Sequence, residues 1–299
     1  MSKIRNNTSF IILATLLSSP VFAEDKVRFS VSAGIEYDDN ISVATLDQTT
    51  GESDIAAVLD FSAAYTPIKT SGTEIELNYD FYQSLHETFD DFDLQIHTFS
   101  ALGSWEIGGY DAGLSYGYSR VYLGANELYD SHTVTPSLGF SSTENWYHLV
   151  SYAYQDKDFD TISGRNAEQN SISFDNFYFF MDNKANVLLS LRAEDENAKD
   201  GELDYQGATL KAALSAPLMD TNLTVKASYQ HYWRDYDNTT ASITEKRNDE
   251  QGLVNIDLIK PLGKGMNVKL SYEHINAESN LASADYSGNV VALTFNMGF

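Results

Sequence analysis

The feature that most constrains this chain is the alternation of period two that closes it. Between Asp285 and Phe299, Val291, Leu293, Phe295, Met297 and Phe299 fall on one side, while Val290, Ala292, Thr294, Asn296 and Gly298 fall on the other. Successive side chains of a strand point to opposite faces, so the pattern predicts a β-strand with one apolar surface. The same pattern runs back to Val27. Val27, Phe29, Val31, Ala33, Ile35 and Tyr37 make the first apolar stripe, and Ile55, Ala57, Leu59, Phe61, Ala63 and Tyr65 the second. Counted along the chain, the stripes predict about fourteen strands, an even number.

The connections add a second regularity. Short turns near 67–72, 108–109, 143–145, 181–184, 218–221 and 263–265 alternate with longer polar segments such as 38–53, 157–169, 194–202 and 237–249. A transmembrane barrel has tight turns at its periplasmic rim and longer loops outside. Aromatic residues gather at strand ends. Tyr65, Trp105, Tyr110, Trp146 and Phe299 are expected at one membrane level, with Tyr37, Tyr122, Tyr154, Trp233, Tyr272 and Tyr286 at the other. Amphipathic rings prefer the interface, so two girdles are expected. The fold class that follows is all-β: a transmembrane antiparallel β-barrel of about fourteen strands with both termini periplasmic. A soluble sandwich shares the strand period but does not require the loop rule or the girdles.

Composition enters where alternatives must be excluded. Mean hydropathy is slightly polar at -0.31. Past the N-terminus no apolar run approaches the ~20 residues of a membrane helix, a test that strands escape because only alternate residues face lipid. Cysteine is absent, which removes disulfides, thiol metal sites and a lipoprotein anchor. With 43 acidic against 19 basic residues and a net charge of -24, the chain lacks the basic footprint that nucleic acid requires. Lys3 and Arg5, an apolar run from Phe10 to Leu17 and the Val21-Phe22-Ala23 end predict a signal peptide over 1–23, cleaved near Ala23, with the barrel occupying 24–299.

Candidate chemistry is sparse. Gly113-Leu114-Ser115-Tyr116-Gly117 matches G-x-S-x-G, but a nucleophile elbow needs a strand-to-helix turn and this segment lies within a strand. Asp156, Asp158 and Asp160 begin like a calcium loop, yet Thr161 and Ala167 stand where that loop needs glycine and a carboxylate. No catalytic residue, cofactor or metal site is predicted. The inward positions are more informative. Alternation places Arg28, Glu36, Asp60, Glu76, Asp80, Asp93, His97, Asp175, Arg192, Lys226, Arg234, Lys269 and Glu273 on the lumen side, along with Lys211. Acidic positions dominate the early strands and basic ones the late strands, so opposite walls are expected to carry opposite charge.

The opening Tyr37-Asp38-Asp39-Asn40 and the closing hairpin with Ser279, Asn280, Tyr286, Asn289 and Phe299 resemble the barrel of the surface lipoprotein assembly modifier family. They also resemble related barrels of exopolysaccharide export. The resemblance implies an outer-membrane barrel whose terminal Phe299 is read by the barrel assembly machinery. The functional expectation is a pore for polar solutes or glycan. A non-enzymatic assembly or export partner for surface lipoprotein or polysaccharide is the alternative, and an outer-membrane hydrolase the third. The expected surroundings are the outer membrane and lipopolysaccharide.

Overall fold

The computed structural model describes residues 26–219 and 221–299, so the expected signal peptide lies outside the described residues. The strands in chain order are β1 (Val27–Asp38), the two-residue β2 (Ser42–Val43) and β3 (Gln48–Thr49), β4 (Asp54–Lys69), β5 (Thr73–His86), β6 (Leu94–Ile107), β7 (Tyr110–Leu123) and β8 (Asn126–Ser141). They continue as β9 (Trp146–Phe159), β10 (Ala167–Phe180), β11 (Ala185–Ala198), β12 (Tyr205–Leu218), β13 (Leu223–Thr240), β14 (Glu245–Gly263), β15 (Met266–Ser279) and β16 (Tyr286–Gly298). All but β2 and β3 join in one closed antiparallel barrel of fourteen strands, each paired with its neighbour in sequence and β1 paired with β16.

Closure is where the terminal alternation acts. Val31, Ala33, Ile35 and Tyr37 stand opposite Met297, Phe295, Leu293 and Val291, so two apolar stripes meet across the seam. Phe299 extends the ladder, its N–H donating to the Phe29 carbonyl at 2.8 Å and its carbonyl accepting from Phe29 at 3.2 Å. The even strand number brings Phe299 and the start of β1 to one rim, which also carries the tight turns. At the turn between β6 and β7, Gly108 and Gly109 have φ of 61° and 88°, the positive values a two-residue hairpin needs.

The outer surface is apolar. Ile35, Ile172, Leu191 and Leu293 are 60, 55, 56 and 48% exposed, part of a band that encircles the barrel and matches lipid, not water. The inner surface is mostly polar. It contains one apolar cluster of Val121, Leu128 and Phe159, against which Leu46, Leu94 and Ile96 pack.

Three sequence expectations are corrected here. In β6, where His97 is expected on the lumen side, Leu94, Ile96, Thr98, Ser100 and Leu102 face inward instead. Ile96 pairs with Val121 of the interior cluster, and the aromatics Phe99 and Trp105 take the outer face, 53 and 36% exposed. The connection from β7 to β8 is a tight turn at Gly124-Ala125, both at positive φ, so the long-loop rule fails at this hairpin. Finally, much of the polar segment 237–249 is strand, because β13 and β14 run on as an extended hairpin of 18 and 19 residues.

Candidate functional site

The lumen wall divides into three arcs. β1, β4 and β5 present Glu36, Asp60, Glu76 and Asp80 inward, with Arg28 paired to Glu76. Across the ring lie β10 to β13, where Asp175, Arg192, Lys211, Lys226 and Arg234 point inward. β15 adds Lys269 and Glu273. The arc of β6, β7 and β8 is lined mainly by small residues, with Thr98, Ser100, Ser115, Gly117, Thr133 and Thr135 in register.

Acidic positions are thus concentrated on the wall of β1, β4 and β5, while the facing wall carries both signs, with Arg192, Lys211, Lys226 and Arg234 beside Asp175, Glu194 and Glu196. Local pairing tempers the contrast. Lys157 Nζ meets Glu196 at 2.7 Å, which also accepts from Gln169 at 3.0 Å and the Tyr205 hydroxyl at 3.1 Å. Glu194 lies between Arg192 and Arg234, at 3.1 and 3.3 Å, and the Arg234 guanidinium lies 4.6 Å from both the Tyr205 and Tyr232 ring centres. Such planar stacking and forked bonding suit arginine and would not survive lysine. These groups border a cavity of about 550 Å³.

Two predicted lumen residues lie elsewhere. His97 is on the outer face, its Nδ1 2.9 Å from the Tyr79 hydroxyl and its ring packed against Phe81. Asp93 belongs to the short connection before β6 and accepts from the His86 backbone N–H at 2.7 Å, with His86 Nδ1 at 3.3 Å. The expected inward placement of Asp93 and His97 is therefore not found. The cause is the inverted face of β6, whose Leu94 and Ile96 are drawn inside by the apolar cluster. Ser115 of the G-x-S-x-G match sits on β7, mid-strand.

The mouth of the lumen is crossed by the connection between β1 and β4. Residues 39–53 fold as β2, a 3₁₀ turn at Ala44–Leu46 and β3. Asn40 fixes the base of this loop, its side-chain oxygen accepting from Thr49 at 2.6 Å and from the Gly51 N–H at 2.9 Å. At the tip, Asp47 adopts φ 54°, a left-handed conformation that aspartate tolerates better than most side chains. Its two oxygens accept from Arg247 at 2.7 Å and Arg165 at 2.6 Å, and Arg165 also donates to the Thr45 carbonyl at 2.8 Å. Arg247 is held in turn by both oxygens of Asp249, at 2.9 and 2.7 Å, and lies 4.6 Å from the Tyr236 ring centre. Burial acts to raise the Asp47 pKa, but hydrogen bonds and charge from Arg247 and Arg165 outweigh it and hold the carboxyl below its ordinary value. Leu46 provides the apolar anchor, packed on the cluster of Val121, Leu128 and Phe159. The loop thus reaches from β1 across to β7, β8, β9 and β14.

The family model for surface lipoprotein assembly modifier matches residues 28–299, the whole described barrel but for Val27. The chain belongs to the surface lipoprotein assembly modifier family. The fourteen-strand wall and its lipid-facing band make it an outer-membrane β-barrel of Gram-negative type. Among solved structures, the anion-selective porin from Comamonas acidovorans is similar at 11% identity and a TM-score of 0.51, over 91% of this chain and 98% of that one. The trimer form of the outer membrane protein OmpT from Vibrio cholerae is similar at 9% identity and a TM-score of 0.54, over 91 and 99%. Both are likenesses of fold. A search among curated proteins found no match.

Sequence reasoning missed Asp47, Lys157, Arg165, Glu194, Glu196, Arg247 and Asp249. All lie in polar segments that read as loops. Their period-two spacing, as in Glu194 with Glu196 and Arg247 with Asp249, was the available signal.

Proposed function

We propose that this protein is an outer-membrane channel for polar solutes, among them short glycans, narrowed at its mouth by the loop 39–53, and that it has no enzymatic role. The observation that carries the reading is the lumen itself: a polar interior with an acidic wall at β1, β4 and β5, a wall of mixed charge across the ring, and a cavity of about 550 Å³ against the mixed wall. A purely structural barrel of this size would gain more from filling that space with apolar side chains, since unfilled polar cavities contribute nothing to packing. An acidic wall opposite a mixed one sets an uneven field across the lumen, which orients dipolar solutes in a low-dielectric surround. Eleven of the thirteen sequence-predicted lumen positions serve this wall in our reading, Asp93 and His97 being the exceptions. The tight-turn rim is periplasmic, so both ends of the barrel are too, and the signal peptide is removed after Ala23. Lipopolysaccharide surrounds the loop rim, and the assembly machinery engages Phe299.

The decisive experiment is conductance of the purified protein in planar bilayers. Discrete steps that grow on removal of residues 42–49 support the channel. Silence in both proteins would overturn it.

The family match favours a second reading. Its members are described as modifiers of surface lipoprotein assembly, so the loop rim here would meet an export client instead of a solute. Crosslinking from the loop rim in cells separates the two: a lipoprotein partner supports this reading, and its absence alongside conductance supports the first.

A further inference from the structure

The contacts of Asp47 do more than hold a loop. Asp47, Arg165 and Arg247 line the lumen cavity of about 550 Å³, and the same three residues line a second cavity of about 520 Å³ on the loop side. The carboxylate and its two guanidiniums are therefore part of the partition between an outer vestibule and the lumen. Arg165 comes from the connection between β9 and β10, and Arg247 from β14, so two strand hairpins far apart on the ring converge on one carboxylate. Arg247 is only 5% exposed and Arg165 27%. Two arginines that converge on the two oxygens of a single carboxylate are the arrangement by which proteins recognise carboxylate ligands. Charge points the same way. Asp249 balances Arg247, which lies over Tyr236, so lifting Asp47 away leaves Arg165 with no carboxylate in salt-bridge contact among the described residues, beside a cavity that Asp200 and Glu202 also line.

We propose that Arg165 and Arg247 form a carboxylate-binding site whose resident occupant is the chain's own Asp47, and that a carboxylate-bearing solute takes its place and opens the way from vestibule to lumen. The inference rests on the channel reading and names the solute class and the gate. Displacement is a competition with a tethered group, whose effective concentration is in the millimolar range or above. Leu46 adds to the hold, so opening also requires it to leave the cluster of Val121, Leu128 and Phe159.

The chain has no cysteine, so an introduced one reports alone. Ala44 borders the lumen cavity beneath the loop. In Ala44→Cys protein reconstituted in vesicles, labelling by a bulky impermeant maleimide should be slow. Sodium acetate, exchanged for chloride at constant ionic strength, should speed it, and at lower acetate when Leu46→Ala weakens the apolar anchor. Adding Asp47→Asn keeps the backbone preference for positive φ while removing the charge. It should raise labelling by about tenfold or more without acetate, because each charge-assisted hydrogen bond lost is worth about that factor. Acetate should then have no further effect. Labelling that ignores acetate up to high concentration in both the Ala44→Cys and the Leu46→Ala backgrounds would overturn the carboxylate site. So would an Asp47→Asn variant that labels as slowly as its parent in both. Conductance recorded on the same samples keeps the two readings apart. Acetate-dependent labelling with silent bilayers would remove the channel and leave the site, and steps indifferent to acetate would do the reverse.

Discussion

Asp47 is held between opposing influences, and its pH dependence follows from which one wins. In the released loop its carboxyl titrates near the ordinary value of ~3.9. In the docked loop the two arginines hold it lower. A group depressed on docking contributes its full stabilisation above the undocked value and loses it as pH falls through the docked one. The loop should therefore stay closed from neutral pH down to about 4 and release only below that range. A nitroxide on Ala44→Cys would show this as a line shape unchanged until strong acid and then sharpened. Faces can be tested one residue at a time as well. Val134 is 40% exposed on the lipid side of β8, and Thr135 is inward beside Ser115. Val134→Arg should cost ~2–4 kcal/mol in vesicle refolding, while Thr135→Arg should cost far less and alter ion preference in the lumen. Equal losses would mean that the sheet is not in a bilayer.

At the level of elements, the seam between β1 and β16 is the place where closure can be lost. Gly34 pairs with Thr294, and a side-chain carbon on it would lie against the Leu293 carbonyl and 2.8 Å from the Thr294 Cα. Neither is a flexible side-chain end that can step aside. Gly34→Ala should destabilise the barrel by ~1–3 kcal/mol as the strands are pushed apart. Gly117 on β7 has open space where its side chain would go, so Gly117→Ala is the matched control and should be neutral or slightly stabilising in urea titrations. Deleting Phe299 removes two backbone hydrogen bonds from the same seam along with an exposed aromatic ring. We expect it to lower the yield of folded barrel in cells more than Asn296→Ala, which removes only inward hydrogen bonds to Asn267 and Thr294.

For the whole molecule, closure means that none of the fourteen strands offers a free edge. Detergent alone should not open such a ladder. Unboiled protein should migrate differently from boiled protein on gels, and the difference should vanish in a Gly34→Ala variant at a lower temperature than in the parent. The long hairpin of β13 and β14 stands above the wall on the loop side, where Asn280 donates to the Lys246 carbonyl at 2.9 Å and Asn238 to the Gly201 carbonyl at 2.7 Å. These ties join neighbouring loops into one collar around the mouth.

Strand number, closure and the lipid face were legible in the sequence, because a strand alternates strictly and lipid penalises every error on one face. Glu36 needed no partner to be placed inside; the apolar Ile35 and Tyr37 on either side sufficed. β6 was not legible, since Leu94 and Ile96 are apolar for the sake of the interior cluster, and local alternation cannot tell one apolar surroundings from another. Nor were Asp47, Arg165 and Arg247, which lie far apart in sequence and converge only when the loop after β1 folds over a mouth that the closed ring creates. Period two assigns a residue to a face; which residues then meet across the opening is decided by ring closure and by the packing of Leu46, and these exist only in three dimensions.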